Sequence, residues 1–398
     1  MTARVFLFYL SSFLAFVCGH SVNYSVIMYS QDILNSDLIS GIGFGLCFGP
    51  PIILGWYAGV LCDRLAPGRL ILFSQITFML CALVLLGGHY LAESLTLKTA
   101  AVVIGAFLAG CSWSFIAPAR FATLAQVVPE KSLHGATILL NLLSMVGFGL
   151  GPILIAFTYS DFGWSGVFVS LFAGFFLATI LVFFVPTKGS DKVRKWVGAE
   201  IREGLQAVAA KPILAQLLLA SVLAYTLMGP MQVLLPRMAR SQLMFNEMER
   251  GSYLGVLALA LIIGGVLCMV LKNRVHEGMT ILVGAMIAGV SVVVISQITT
   301  PMASALVLLF SGIVGGMIVS LIVAGLQAEA GAEVRGRVMS MYTITSQITP
   351  ALTGLGAGIL SEYLGVVLGL LICGLVIVAV AAIGIGKLNA IRTYNRST

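Results

Sequence analysis

Charge is what this sequence has least of. Asp, Glu, Lys and Arg together make up 9% of its 398 residues, where soluble globular domains carry about 25%. So few charges cannot clothe a water-soluble body of this size, but they suffice where lipid covers most of the surface. Histidine is scarcer still, with four copies, which leaves little from which to build a metal site. The seven cysteines lie in or beside apolar runs and no two form a C-x-x-C pair. They read as small apolar side chains rather than as disulfides or metal ligands. There is no glycine-rich phosphate loop, and no stretch is long enough for a soluble nucleotide-binding domain. ATP drive is thereby excluded, no reactive grouping points to an enzyme, and no cofactor is expected. The net charge of +7 comes from residues scattered through short loops, not from one patch, which argues against nucleic acid as a partner.

What is abundant is apolar: 59% of the residues are hydrophobic and the mean hydropathy is +1.06. A membrane-spanning helix needs about 20 mostly apolar residues. Twelve stretches qualify: 5–30, 38–62, 70–91, 99–127, 133–158, 163–185, 213–235, 253–271, 279–298, 302–328, 338–361 and 366–385. The first runs on too far, and lacks the small-residue cleavage site, to be a signal peptide. With the N-terminus in the cytoplasm, seventeen of the 22 Lys and Arg residues fall on the cytoplasmic side. Lys98, Arg237, Arg240 and Arg250 fall outside, and Arg120 lies within a span. This bias predicts a multi-pass protein of the cytoplasmic (inner) membrane with both termini inside.

The longest loop joins spans six and seven. Within it Val193, Val197, Ile201, Leu205 and Val208 recur at helical spacing, which predicts an amphipathic helix on the membrane surface. It divides the chain into a six-helix bundle at 1–186, a linker at 187–212 and a second six-helix bundle at 213–398. The halves echo one another. Lys131–Gly135 after span four corresponds to Glu333–Arg337 after span ten, and Leu61–Arg64 after span two to Leu271–Arg274 after span eight. Half-length symmetry marks transporters built from repeats, which bind substrate near the membrane midplane.

The loop after span two reads Gly59-Val60-Leu61-Cys62-Asp63-Arg64, then Gly68-Arg69. It resembles the G-x-L-x-D-R signature of the major facilitator superfamily. The resemblance implies an all-α membrane fold of two pseudo-symmetric bundles rocking about a central site. It also implies that Gly59, Asp63, Arg64 and Arg69 take part in gating, with Arg335 and Arg337 at the start of helix eleven. The chemistry is intelligible: a carboxylate such as that of Asp63 is attracted by the free N–H groups and dipole of a helix N-terminus. Span five carries Gly147-Phe148-Gly149-Leu150-Gly151-Pro152, which resembles the family's G-x-x-x-G-P-x-x-G-G motif of antiporting exporters. Ile155 and Ala156 stand where that motif ends in two glycines. Gly147 and Gly151 are expected to let helices approach and Pro152 to bend the span. Pro118-Ala119-Arg120 and Arg335-Gly336-Arg337 look like the branch that holds siderophore exporters and macrolide efflux pumps.

Ionisable groups inside spans are costly and mark function by default. Arg120 lies in the inner part of span four, with Trp113 on its face; His20 lies mid-span in helix one, with Asn23 and Tyr24 nearby. Arg120 either binds substrate or pairs with helix-end carbonyls. His20 either carries the coupling proton or is a packing residue, its imidazole being the side chain that titrates near neutrality. No Asp or Glu lies deep in a span, which favours anionic, zwitterionic or neutral substrates over cations. Asn141 of span five, Tyr225 and Gln232 of span seven, and Thr343 and Gln347 of span eleven are the uncharged polar candidates for a cavity. The expectation is a monomeric, proton-coupled exporter of a small siderophore-like or drug-like molecule, with the lipid bilayer as its surroundings. Uptake of a metabolite or siderophore and flipping of a lysolipid are the alternatives. A metal-ion carrier is disfavoured for want of grouped Asp, Glu or His.

Overall fold

Apolar runs of this length can satisfy their backbone in lipid only as helices, and every regular element among the described residues is helical. The computed structural model describes residues 2–189, 197–271, 275–331 and 334–395. Ten helices among them are long and apolar enough to cross a membrane. One of these, Leu133–Phe183, turns at Gly163 (φ 62°, ψ −162°) and so makes two crossings. That conformation is open to glycine and strained for other residues. A further helix, Arg335–Leu364, is as long as the others but richer in polar side chains. Twelve spans result, as the sequence predicts.

Local chemistry shifts several boundaries. Span two is broken into Asp37–Phe48 and Pro50–Arg64, because Pro50 and Pro51 remove backbone donors. Span seven is Pro212–Thr226 followed by Met228–Ser241. Span eight starts at Glu247, not at 253. The reason is a reciprocal cap: the Glu249 N–H donates to Asn246 Oδ1 and the Asn246 N–H donates to Glu249 Oε2, each at 2.9 Å. This capping box extends the helix through a polar stretch that reads as loop.

By its contacts the chain forms two units: Met1–Arg194 with Met244–Gly255, and Lys195–Leu243 with Val256–Thr398. In the first, helix one (Ala3–Asp32) is buried along most of its length. Several of its serines donate to carbonyls: Ser11 Oγ to Ala178 O at 2.7 Å and Ser21 Oγ to Gly151 O at 3.1 Å. Small residues set the close approaches. A Cβ on Gly147 would meet the Phe16 backbone at 2.8 Å, and one on Gly251 would meet Pro152 O at 2.7 Å. The motif glycines of span five therefore pack helix one, while Pro152 and Ala156 receive the first turns of span eight.

In the second unit a core of Leu214, Leu217, Ile281, Ile318, Ile322, Leu326, Val338 and Ile377 gathers spans seven, nine, ten, eleven and twelve. The linker helix, Val197–Ala210, belongs to this unit. Val208 joins the core, Glu203 pairs with Arg337 at 2.5 Å, and Lys211 Nζ donates to Glu329 O at 2.9 Å. Leu205 is 52% exposed, so the face that packs on protein is that of Gly204 and Val208. Val193 lies outside the described residues, and so do the side chains of Val197 and Ile201.

Candidate functional site

The site begins at a glycine. A Cβ on Gly19 would come within 2.9 Å of Trp113 Cζ2, so its absence lets the indole of span four lie against helix one. Trp113 Nε1 donates to Asn23 Oδ1 at 3.0 Å, and its rings lie 4.9 Å from the His20 imidazole. From span five Phe148 meets His20 edge-on, with ring centroids 5.3 Å apart, and lies 5.9 Å from Tyr24. His20, Asn23, Tyr24, Trp113 and Phe148 form one aromatic layer inside the first unit. Two of its polar atoms, His20 Nε2 and Asn23 Nδ2, are buried with no hydrogen-bond partner among the described residues. None of the five side chains is acidic.

Arg120 lies seven residues along span four from Trp113, about 10 Å at the helical rise. Its side chain is fully buried. Nη1 donates to Ser12 Oγ at 2.6 Å and the guanidinium carbon sits 5.5 Å from the centre of the Phe16 ring. Nε and Nη2 have no partner among the described residues. Neither has the Thr123 hydroxyl one turn on, nor Gln75 Oε1, whose amide nitrogen donates to Ser11 Oγ at 3.3 Å. Pro118, two residues before Arg120, deletes one backbone hydrogen bond of span four next to this cluster.

The structure thus unites His20, Asn23, Tyr24 and Trp113, with Arg120 two turns away. It leaves Asn141 exposed on its helix. The remaining polar candidates belong to the second unit. Tyr225 Oη meets Tyr342 Oη at 2.7 Å, Gln232 is buried with Nε2 unpartnered, Thr343 Oγ1 donates back to Met339 O at 3.0 Å, and Gln347 is half-buried. Of the residues expected to gate, the surroundings of Gly59 and the side chains of Asp63 and Arg64 lie outside the described set, Arg69 and Arg335 are exposed, and Arg337 pairs with Glu203. No metal-holding group of His, Cys, Asp and Glu occurs among the described residues.

Sequence reasoning missed three features. Phe148 was hidden inside a glycine motif, and Tyr342 had no partner in sequence to announce it. The third is an ion cluster in the first unit. Asp32, at the end of helix one, accepts from Arg250 in two bonds, Nη1 to Oδ1 at 3.1 Å and Nη2 to Oδ2 at 2.8 Å. Glu247 pairs with the same guanidinium. The side chains of Arg250 and Asp32 are 1% and 3% exposed, which corrects the reading of Arg250 as an outer loop residue. The Asn246–Glu249 capping box is the signal that would have placed it on a helix.

Comparison with known proteins follows the same line. The Major Facilitator Superfamily model matches residues 5–354. An uncharacterized MFS-type transporter, YfiS of Bacillus subtilis (strain 168), is 26% identical over 365 residues, 85% of this chain and 82% of the relative. The chloramphenicol resistance protein CraA of Acinetobacter baumannii is 27% identical over 132 residues, 33% of this chain and 30% of that one. Among solved structures, a bacterial homolog of the human lysosomal transporter Spinster, inward-facing and unoccupied, aligns with a TM-score of 0.77 at 17% identity. It covers 99% of this chain and 98% of its own. At that identity the likeness shows the fold.

Proposed function

The chain belongs to the Major Facilitator Superfamily of membrane transporters, and from that premise we propose that it is a secondary active exporter of a small, non-cationic amphipathic molecule, working by alternating access and driven by protons. The observation that carries the reading is the layer of His20, Asn23, Tyr24, Trp113 and Phe148. It is aromatic, it contains no carboxylate, and its two unpartnered polar atoms are few fixings among apolar walls. Sites for amphipathic small molecules have this composition. A cationic substrate would want an acidic side chain there.

Export rather than uptake is favoured by the Gly-Pro sequence of span five and by the resemblance to a chloramphenicol resistance protein over one third of the chain. Proton drive is assigned to His20, the side chain of the layer whose unperturbed form changes charge near neutral pH. The excess of Lys and Arg in alternate loops sets both termini in the cytoplasm of a cell whose inner membrane holds the protein. Asp63 and Arg64, at the cytoplasmic end of span two, and Arg69, in the first turn of span three, then gate from that side.

The test is a ligand-stabilisation screen of purified protein against neutral and anionic amphipaths, organic cations, lysolipids and divalent metals. Neutral or anionic amphipaths should raise the melting temperature of the wild type, and the shift should vanish in Trp113→Ala. Stabilisation by cations, metals or lysolipids alone, or a shift that survives in Trp113→Ala, contradicts the reading.

A further inference from the structure

We propose that Arg120 receives the carboxylate of the substrate, so that the transported class is amphipathic organic acids. This rests on the exporter reading and narrows it. A guanidinium has three nitrogens, and here they are not equivalent. Nη1 is committed to Ser12 Oγ at 2.6 Å. Nε and Nη2 are the two without partners. These two lie along one edge of the planar group, with parallel N–H bonds spaced to meet both oxygens of a carboxylate. The unpartnered edge is therefore the bidentate one, and Ser12 holds the opposite side and fixes its aim.

A structural arginine would place that edge against a carbonyl or a carboxylate. Among the described residues it meets neither, although the side chain is fully buried. Leaving two guanidinium donors unmet in a buried site is costly, so an arriving anion gains a strong pairing. Thr123, one turn on, has an unpartnered hydroxyl that can donate to the same anion.

The rest of the substrate follows from helical spacing. Ser12, Phe16 and His20 stand at i, i+4 and i+8 on one face of helix one, and Arg120 and Trp113 stand seven apart on span four. The track therefore runs from the guanidinium past the Phe16 ring, 5.5 Å away, to the imidazole and indole, themselves 4.9 Å apart. Its length is about 10 Å. An acid whose aromatic or apolar body reaches that far places its anion at Arg120 and its body in the aromatic layer. Asn23 Nδ2 and His20 Nε2 are there to meet a polar group at the far end.

The experiment measures equilibrium binding of arylalkanoic acids with two to six methylenes, and of their primary amides, to the full-length protein in lipid nanodiscs. Wild type should bind the best acid at least roughly tenfold more tightly than its amide, as a desolvated charged pair implies. Arg120→Lys, which keeps the charge but loses the fork, should lose that preference. Ser12→Ala, which keeps Arg120, should weaken the acid alone and by less. Equal binding of acid and amide by wild type overturns the assignment even if the Arg120 variants do not fold. So does an acid preference retained in Arg120→Lys. Neutral amphipaths that stabilise the protein in either of those cases leave the exporter reading standing. Failure of every acid, amide and neutral amphipath to bind overturns both.

Discussion

A guanidinium without solvent has to be compensated by its neighbours, and among the described residues the first unit holds two that are met differently. Arg120 has one hydroxyl and one ring, with an edge left over. Arg250 has a bidentate carboxylate in Asp32 and a second in Glu247. Removing Arg250 takes the bidentate partner from the buried Asp32 carboxylate, so Arg250→Met should lower stability by about 3–5 kcal/mol. The double change with Asp32→Asn should recover part of that loss in the same unfolding measurement. Full stability of Arg250→Met would mean that the pair does not hold span eight in place. Sequence alone exposed Arg120, because a charge inside an apolar run is costly and stands out. It concealed Arg250, because Asn246-Glu247-Met248-Glu249-Arg250 is polar and reads as loop. Its burial depends on a partner 218 residues away, which no local pattern records.

At the scale of helices, small residues decide which surfaces meet. Gly251 and Gly255 are four apart on span eight. A Cβ on the first would lie 2.5 Å from Ala156 Cβ, and one on the second 3.2 Å from Gly149 O. Gly251→Leu should therefore force this helix start away from span five and cost about 1–3 kcal/mol or more. Thermal unfolding of the purified variant measures it, and wild-type stability would show that the contact is slack. The spans themselves were legible, because a run of some 20 apolar residues in lipid has one solution. Their ends were not. The Pro50-Pro51 break and the reciprocal Asn246–Glu249 cap are visible in retrospect, but each is a short polar or proline signal that apolar periodicity outweighs. The His20–Trp113 meeting was half legible. Both residues stood out in their helices, while the glycine that admits the indole, Gly19, did not.

Across the whole chain, polar chemistry is sparse and its placement carries the functional argument. The twelve spans and the excess of basic residues in alternate loops were readable because each is repeated many times along the sequence, and the family because its signature is local, at Gly59–Arg64. The aromatic layer depends on three helices converging on single residues, Phe148 among them, and such convergence appears only once they are packed. The central claim is proton-driven export through that layer. Its most direct test uses everted membrane vesicles, whose interior stands for the cell exterior, and a solute drawn from the stabilisation screen. Acidifying the vesicle interior should drive accumulation of the solute, a protonophore should abolish it, and His20→Ala should flatten its dependence on pH. Accumulation indifferent to the proton gradient, or found only in right-side-out vesicles, would contradict the account.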